Sequence, residues 1–379
     1  MIKRLDYFLL FIVAILLILG ISFLSALSAP ISLSKFGTTN HYLIHQIVYG
    51  FLPGIFLCLI AFLIPLSFFK RISFLAFLLN LLVLISVFIP GIGSRFWGAN
   101  RWLSLGSIGL QPSEFLKITS ILYLSTWLSN RINQQPQGPK ALKDKIPRNS
   151  FKQILLPFLI FLTVISVIFI LQPNVSTLGI IGLTALVIYF ASGTPLWHTL
   201  LITIFGSSGL ILLLKYGSYR ASRLLVFLNP NIDPLGIGYQ INQALIAIGS
   251  GGIGGRGLGM SSQKFGFLPQ TMSDSTFAVY AEESGFVGCI FLILLFSLFL
   301  WAGLAVARRS DDRFSKLVAL GITFWILFQG FANISSMIGI FPLTGIPLPF
   351  ISYGGSHIIA ELIGVGILLN IARHQKSNT

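Results

Sequence analysis

The chain has 379 residues, of which 55% are hydrophobic and only 9% are charged, whereas ordinary soluble domains carry about 25% charged residues. A water-soluble globular fold is excluded, because so few polar groups could not cover the surface of a chain this long. The 25 Lys and Arg exceed the 10 Asp and Glu, which gives a formal net charge of +15. Such an excess is typical of nucleic-acid binding or of a membrane protein with basic cytoplasmic loops, and the positions of the charges decide between these.

Apolar runs that cross the roughly 30 Å hydrocarbon core of a membrane need about 17–25 residues. The first of them, 7–28, is too long for the apolar part of a cleaved signal peptide. The pattern predicts an all-α integral membrane protein with about ten transmembrane helices, forming one polytopic domain over residues 1–379. The ten runs are 7–28, 44–68, 73–90, 113–129, 154–171, 178–193, 198–215, 283–306, 317–340 and 357–372.

The basic residues predict the orientation of these spans, because cytoplasmic loops are enriched in Lys and Arg. With the N-terminus inside, Lys117 falls within a span and only eight basic residues fall outside, which leaves 16 of the 25 on the inner side. We therefore expect both termini to be cytoplasmic. The outer eight are Lys35, Arg95, Arg101, Lys215, Arg220, Arg223, Arg256 and Lys264.

Three connecting segments stand out by composition. Residues 131–152 form a basic cytoplasmic loop that suits anionic lipid, and we expect no nucleic-acid partner. Residues 91–112 carry aromatics, two Arg and several Gly on the outer side. Residues 216–282, between predicted helices 7 and 8, are far longer than an ordinary connection, yet they contain aliphatic and aromatic residues throughout and helix-like spacing near 238–248. We expect 216–282 to be an ordered extracytoplasmic loop that carries a site.

The acidic residues are few, so each position is informative. Glu114 and Glu361 fall within predicted spans, where a charge costs several kcal/mol and is usually paired or functional. Glu114 and Lys117 are three residues apart on one helical face and could neutralise each other, or Lys117 could reach an anionic headgroup. The other acidic residues on the outer side are Asp233, Asp274, Glu282 and Glu283.

Two glycine-rich stretches are open to more than one interpretation. GSGGIG at 249–254 fits a dinucleotide fingerprint, but it has no preceding strand and no βαβ unit, so we expect tight turns or a close approach to a ligand instead. SYGG at 352–355 follows three prolines and predicts an irregular segment that lines a cavity. The two Cys and five His show no disulfide framework and no metal-ligand spacing.

Five motifs, in a fixed order along the chain, carry a family resemblance. They are GANRWLSLGSIGLQPSEFLK (98–117), LQPNVST (171–177), YRASRLLVFLNPNIDPLGIGYQINQALIAIGSGGIGGRGLGMSSQK (219–264), FLPQTMSDSTFAVYAEESGFVG (267–288) and PLTGIPLPFISYGGS (342–356). Together they resemble the bacterial SEDS family (shape, elongation, division and sporulation), which includes FtsW and RodA.

This resemblance implies a peptidoglycan glycosyltransferase in the bacterial cytoplasmic membrane, with its active site facing outside. Such an enzyme polymerises lipid II, releases undecaprenyl pyrophosphate and works with a class B penicillin-binding protein and other division or elongation membrane proteins. The family's essential acidic residue falls on Asp274, although the residues on either side of it differ from the common family spelling. Asn174 stands where the family commonly has Asp, so a charge role there is lost.

The chemistry that the resemblance implies needs a base for the acceptor hydroxyl and positive charge for the departing pyrophosphate. Asp274 is the predicted base, and Glu283 is expected to tune it or to pair with a cation. A divalent cation, Mg or Mn, could share the work, although no carboxylate cage is evident. The predicted substrate-binding residues are Arg101, Glu114, Lys117, Arg220, Arg223, Lys264 and Glu283, with Arg256 as a further cationic candidate.

Two other functions stay open at this point. A lipid II transporter would suit charged residues in spans, but it needs polar groups distributed through the membrane depth. A non-catalytic scaffold for the division or elongation machinery is disfavoured by the retained Asp274. The motifs are shared by the division and elongation branches of the family, and between these two we slightly favour the FtsW-like division type.

Overall fold

A computed structural model of the chain describes residues 4–91, 93–96, 99–105, 108–133, 151–215, 218–229 and 232–374. The chain forms two compact units, each assembled from separate segments. Unit 1 comprises Met1–Phe62, Gly217–Gly303 and Ile326–Leu369, and unit 2 comprises Leu63–Tyr216, Leu304–Trp325 and Asn370–Thr379. The single polytopic domain stays a prediction.

Unit 1 consists of helices and the irregular connections between them. A buried cluster of Phe51, Ile358 and Leu362 anchors its core, and Gly54 allows close packing, since a Cβ there would lie 2.6 Å from the Leu362 side chain. The helical elements in chain order are α1 (Arg4–Phe36), α2 (His41–Gln46), a π-helical turn (Ile47–Phe51), α3 (Leu52–Leu63), α9 (Ser218–Leu228), α10 (Tyr239–Gly251), a 3₁₀ turn (Gln263–Phe265), α11 (Thr276–Arg309, in unit 1 up to Gly303), α12 (Arg313–Met337, from Ile326) and α13 (Gly355–Arg373, up to Leu369).

Unit 2 contains five long helices and a small sheet. In this unit α5 packs against α4 and α7. The helices are α4 (Leu66–Ser86), α5 (Pro112–Asn133), α6 (Leu156–Leu171, preceded by a π-helical turn Phe151–Leu155), α7 (Val175–Ala191) and α8 (His198–Lys215). The sheet is antiparallel in the order β1 (Gly93–Phe96), β2 (Ala99–Leu105) and β3 (Ile108–Leu110).

The sheet corrects the all-α prediction. It occupies the 91–112 segment, where the Trp102 ring covers Gly109 on the neighbouring strand. The strands have only three to seven residues. They are therefore too short to appear among apolar runs of membrane length. The chain is therefore mostly helical, with one small sheet in unit 2.

Each of the ten predicted apolar runs overlaps a helix, although the run 44–68 extends across the break between α3 and α4. Within the described residues, seven helical stretches are long and apolar enough to span a membrane, and α7 is shorter at 17 residues. The chain is accordingly a multi-pass membrane protein, while the count of ten spans stays a prediction. The seven stretches are Tyr7–Phe36, His41–Leu63, Leu66–Ser86, Phe151–Leu171, Thr276–Arg309, Arg313–Met337 and Gly355–Arg373.

The 216–282 segment combines α9, α10, the 3₁₀ turn and the start of α11 with irregular stretches, and α10 occupies the part where helix-like spacing was predicted. The predicted basic loop 131–152 lies mostly outside the described residues, which resume at Phe151. The placement of Arg220 within α9 is described, but its side chain is outside the described part of the chain.

The glycine-rich stretch that begins at 249 packs closely against the backbone of α11. Phe286 N–H donates to Gly252 O at 2.9 Å, and Gly257 N–H donates to Glu283 O at 3.0 Å. A Cβ on Gly255 would lie 2.2 Å from Glu283 O, and Gly285, with φ of 65°, interrupts the regular geometry of α11 here. The expected tight turns are confirmed, and glycine is needed because two backbones touch.

Candidate functional site

Asp274 lies in a turn that directly precedes α11. The turn is closed by the Ser273 and Ser275 N–H groups, which donate to Gln270 O at 3.0 and 3.1 Å. The Thr276 hydroxyl donates back to Ser273 O at 2.9 Å. These bonds set the backbone on both sides of Asp274, and its side chain is partly buried.

Arg223, on α9, is the cation that faces Asp274. Its Nη1 donates to Leu343 O at 2.6 Å. A Cβ built on Gly345 would lie 3.6 Å from Asp274 Oδ2 and 3.7 Å from Arg223 Nη2, so the two groups converge on this glycine. Gly345 has φ of +67°, which favours glycine, and the lack of a side chain leaves room beside the acid and the guanidinium.

Burial raises the pKa of the Asp274 carboxyl above the ordinary aspartate value, because the charged form loses its water. Hydrogen bonds from its own backbone N–H and from the Ser273 hydroxyl, the charge of Arg223 and the Gln240 amide all lower that pKa, but by less than burial raises it. The Ser273 hydroxyl is 3.2 Å from Asp274 Oδ1. A carboxylate with a raised pKa is a better proton acceptor than an ordinary aspartate, which is what a general base requires.

A cavity of about 320 Å³ adjoins this turn within unit 1. Arg223 and Gln240, which both lower the pKa of Asp274, also line the cavity. The rest of the lining comes mainly from α9, α10 and residues 338–343 and is largely apolar. The backbone between α12 and α13 is irregular, as predicted, but the wall of this cavity contains Pro342 and Leu343 rather than residues 352–355, for which a cavity-lining role stays a prediction. The apolar members are Val226, Phe227, Ile237, Ile241, Leu245, Ile338, Phe341, Pro342 and Leu343.

Glu283 is used within the fold to hold the glycine-rich loop. Its carboxylate accepts the N–H groups of Gly259 at 2.9 Å and Ser261 at 3.2 Å. Glu282 beside it is fully buried and pairs with Arg256 at 2.9 Å. The two carboxylates therefore organise the loop, and a direct substrate role for Glu283 stays a prediction.

Lys264 belongs to the same loop. Its ammonium donates to Gly259 O and lies 5.6 Å from the centre of the Phe265 ring. The side chain is buried. Lys264 thus stabilises the loop from inside, and its contact with substrate also stays a prediction.

Arg101, in unit 2, meets the end of a helix. Its Nε donates to Gln172 O at 3.2 Å, and Nη2 donates to Pro173 O. These carbonyls follow the C-terminus of α6, where a cation is favoured by the helix dipole. Asn174, next in sequence, precedes α7 and accepts a 2.9 Å hydrogen bond from Thr177.

Glu114 and Lys117 form the ion pair that their spacing predicted. The Lys117 Nζ lies 2.7 Å from Glu114 Oε2, and both side chains are buried in unit 2. The ammonium also lies 5.2 Å from the centre of the Trp325 ring. The pair satisfies its own charges, whereas the predicted reach of Lys117 to a headgroup stays a prediction.

The residues around Asp274 do not resemble a metal centre. Throughout the described segments, no three His, Cys, Asp or Glu side chains cluster closely enough to hold an ion. Asp274 faces the Arg223 guanidinium. A divalent cation shared with the substrate stays a hypothesis.

Several residues of this site escaped the sequence prediction. Gln240 contacts Ser275 at 3.0 Å, and Asn333 donates to Asp274 O at 2.7 Å. Ser352 bonds to the Ser273 carbonyl across 79 residues of sequence. A buried amide in an otherwise apolar span, such as Asn333, is the signal that would have found one of them.

Fold and site together define a class: a multi-pass helical membrane protein with a carboxylate and a guanidinium beside an apolar cavity. The family model described as "Cell cycle protein", for FtsW, RodA and SpoVE, matches residues 7–377. The chain belongs to this FtsW/RodA/SpoVE family, which is the SEDS family that the motifs indicated.

Individual relatives and solved structures agree with this membership. Stage V sporulation protein E of Bacillus subtilis is 34% identical over 98% of both chains. A probable peptidoglycan glycosyltransferase FtsW of Coxiella burnetii is 37% identical over 94% of this chain and 93% of its own.

Two solved structures share the fold over 97% of this chain. A structure described as "Structural coordination of polymerization and crosslinking by a peptidoglycan synthase complex" matches with a TM-score of 0.75 and 26% identity, over 98% of its own chain. The rod shape determining protein RodA of Thermus thermophilus matches with a TM-score of 0.68 and 25% identity, over 97% of its own chain.

Proposed function

We propose that the Asp274 site polymerises lipid II into glycan strands. The chain is a peptidoglycan glycosyltransferase, the activity named for its FtsW relatives. Asp274 takes the proton of the acceptor sugar's 4-hydroxyl, and that oxygen attacks the anomeric carbon of the donor. The bond from this carbon to the pyrophosphate oxygen breaks, its electron pair leaves with undecaprenyl pyrophosphate, and the anomeric centre is inverted.

One observation carries this proposal: Asp274 and Arg223 converge on Gly345 at the edge of a cavity. The raised pKa of Asp274 suits a base that must capture a proton near neutral pH. The Arg223 guanidinium, held by Leu343 O, supplies fixed positive charge for a pyrophosphate, and a planar guanidinium binds phosphate oxygens well. Acid and cation therefore occupy the roles that glycosyl transfer from a lipid pyrophosphate requires.

The cavity supports a lipid-linked substrate. Its walls carry aliphatic and aromatic side chains from α9 and α10, which suit the isoprenoid chain next to the headgroup. The polar side chains of the lining are those of Ser222, Arg223 and Gln240. A polyprenyl pyrophosphate likewise combines an apolar chain with an anionic head.

The cellular setting follows from the same proposal. We place the protein in the bacterial cytoplasmic membrane with Asp274 on the outer side, supported by the distribution of Lys and Arg along the sequence. A class B penicillin-binding protein would crosslink the strands, supported by the structural match to a synthase complex of polymerisation and crosslinking. Within the family we favour the FtsW-like division role.

The test is polymerisation of lipid II by the purified chain together with its transpeptidase partner. Asp274→Asn should lower the rate by at least about 100-fold, because general acid–base catalysis contributes roughly 10²–10⁴-fold. The matched control is Asp233→Asn: this exposed acid accepts the Gly236 N–H on Oδ1 at 2.9 Å and the Ile237 N–H on Oδ2 at 3.3 Å, and the asparagine oxygen keeps the shorter of these two bonds. It should polymerise like the wild type.

Full activity of folded Asp274→Asn would refute the assignment of the base. Translocation of lipid II headgroups across liposomes without any polymer would instead favour the transporter. Loss of activity in both aspartate variants would point to a general loss of structure, which size-exclusion chromatography and the unfolding temperature of each variant can detect.

A further inference from the structure

Glu361, on α13, is a buried carboxylate that the proposed chemistry does not use. Its Oε1 accepts the Gln329 amide at 2.9 Å and its Oε2 accepts the Phe350 N–H at 2.8 Å. His357 Nδ1, one turn earlier on α13, lies 3.5 Å from Oε1. A buried carboxylate is costly in a membrane helix and is usually paired or functional. The two hydrogen bonds that Glu361 accepts therefore point to a role for this side chain.

Those bonds hold an irregular stretch of backbone in place. Phe350 has φ of 64°, a conformation that costs a bulky residue of order 1–3 kcal/mol and persists only where the surroundings impose it. Gln329 donates to Pro347 O at 3.3 Å as well as to Glu361, so the same amide binds both the carboxylate and the segment. Glu361 and Gln329 together therefore fix residues 347–350.

The same stretch, continued to Gly354, contacts the turn that contains Asp274. Tyr353 N–H donates to Met272 O at 2.7 Å, and the Ser352 hydroxyl bonds to Ser273 O and, at 3.1 Å, to the Thr276 hydroxyl. The Asn333 side-chain amide donates to both Asp274 O and Ile346 O, each at 2.7 Å, and so links the turn to residue 346. The backbone before and after Asp274 is thus bound to the segment that Glu361 holds.

The segment also reaches the cation of the site. Leu343 O accepts the Arg223 Nη1, and Gly345 lies between Arg223 and Asp274. A shift of residues 343–353 would consequently move the acid and the guanidinium relative to each other. All of these contacts lie within unit 1.

We propose that Glu361 is a positioning residue for glycosyl transfer, acting through the Phe350 N–H to set the distance and orientation of Asp274 against Arg223. It does not contact the reacting atoms in this scheme. The inference rests on the proposed function of Asp274, and it goes further by assigning a role to a buried acid 87 residues away in sequence.

The experiment compares two substitutions at one position by steady-state polymerisation of lipid II. Glu361→Leu removes both acceptors and should lower kcat by up to about 100-fold, since a misplacement of about 1 Å can cost that much. Glu361→Gln keeps an oxygen for the Phe350 N–H and should retain most of kcat. KM for lipid II should stay at the wild-type value in both, because Glu361 lies outside the binding surface.

A matched control comes from the same helix. Asn370 is also buried on α13 and donates its side-chain amide to Ile64 O in unit 2. Asn370→Leu likewise removes a buried polar group and its hydrogen bond, but this contact does not involve residues 343–353. It should leave kcat and KM unchanged when rates are expressed per folded molecule.

Wild-type kcat in folded Glu361→Leu would overturn the inference, as would a rise in KM at constant kcat or an equal loss of kcat in Asn370→Leu. If Glu361→Leu does not fold, Glu361→Gln decides: high kcat with unchanged KM supports the inference, and loss of kcat as complete as in Asp274→Asn overturns it. Failure of the proposed function looks different, since it would show as no polymer from the wild type or as full activity in Asp274→Asn.

Discussion

Two acid–cation pairs of this chain, one in each unit, differ in the space that lies beside them. Lys117 and Glu114 form a 2.7 Å ion pair in a closed surrounding, where the adjacent void measures only about 10 Å³. Arg223 donates to Leu343 O, and it lies with Asp274 beside a cavity of about 320 Å³. The Glu114–Lys117 pair has little space beside it, and its predicted contact with substrate stays a prediction, whereas Asp274 and Arg223 have both charge and space beside them.

This difference separates charged residues that are expected to stabilise the fold from those that are expected to take part in the reaction. A buried pair that satisfies itself is expected to contribute to folding, and an acid whose pKa is raised beside an open cavity is expected to contribute to chemistry. Substitutions should accordingly affect stability in one pair and turnover in the other.

The largest effect on stability is expected from breaking the closed pair. Glu114→Gln leaves Lys117 buried without its counter-charge, and loss of one partner of a buried pair costs about 3–5 kcal/mol. The unfolding temperature of the purified chain in detergent should fall clearly, and the double variant Glu114→Gln/Lys117→Met should recover most of the loss.

The control for that measurement is Arg131→Gln, an exposed change on the same helix. Surface substitutions usually stay within about 0.5 kcal/mol, so its unfolding temperature should match the wild type. Equal stability of Glu114→Gln and the wild type would remove the basis for calling the pair structural.

The next largest effect is expected from Arg223→Gln, and it should appear in turnover. Loss of a fixed charge that stabilises a leaving group costs about 10²–10³-fold in kcat. Arg223 also lowers the pKa of Asp274, so its removal should raise that pKa further. Because the base acts unprotonated, the acidic limb of the pH–rate profile should move to higher pH.

Both readouts come from one series of lipid II polymerisation rates between acidic and alkaline pH. Wild-type kcat with an unmoved acidic limb in Arg223→Gln would show that the guanidinium does not act on Asp274. A lower kcat with an unmoved limb would keep the charge role and discard the electrostatic coupling.

The smallest effect is expected on the stability of Asp274→Asn, and its sign is the informative part. Since burial raises the pKa of Asp274, the charged carboxylate is disfavoured in the folded state. The neutral amide should leave the unfolding temperature unchanged or slightly higher at pH 8, and this difference should vanish at pH values where the folded and unfolded carboxyls are both protonated. A fall comparable to that of Glu114→Gln would make Asp274 a structural residue.

Sequence reasoning succeeded where the physics is local. The apolar runs predicted the helices because crossing a membrane demands long hydrophobic stretches. The three-residue spacing predicted the Glu114–Lys117 pair because such residues share a helical face. The sheet of residues 93–110 was not predicted, because its short strands have no comparable periodic pattern in the sequence.

The candidate site was predictable only in part. The family motifs pointed to Asp274, but they treated the surrounding cations alike. The structure distinguishes them: Arg256 is paired with Glu282, Lys264 is bound to a loop carbonyl, and Arg223 faces the acid. Arg256 and Glu282 are 26 positions apart, and Arg223 and Asp274 are 51 positions apart, so spacing along the chain could not reveal these two pairings.

By itself, the sequence determined a membrane protein with basic inner loops and one outstanding acid, because hydrophobicity, charge and motif order are properties of the linear chain. Only the tertiary structure decided which charges are already satisfied and which remain beside open space. It also revealed that Glu361, Gln329 and Asn333 hold the backbone around Asp274. Hydrogen bonds and burial are pairwise properties of the folded chain, and they exist only once distant segments have been brought together.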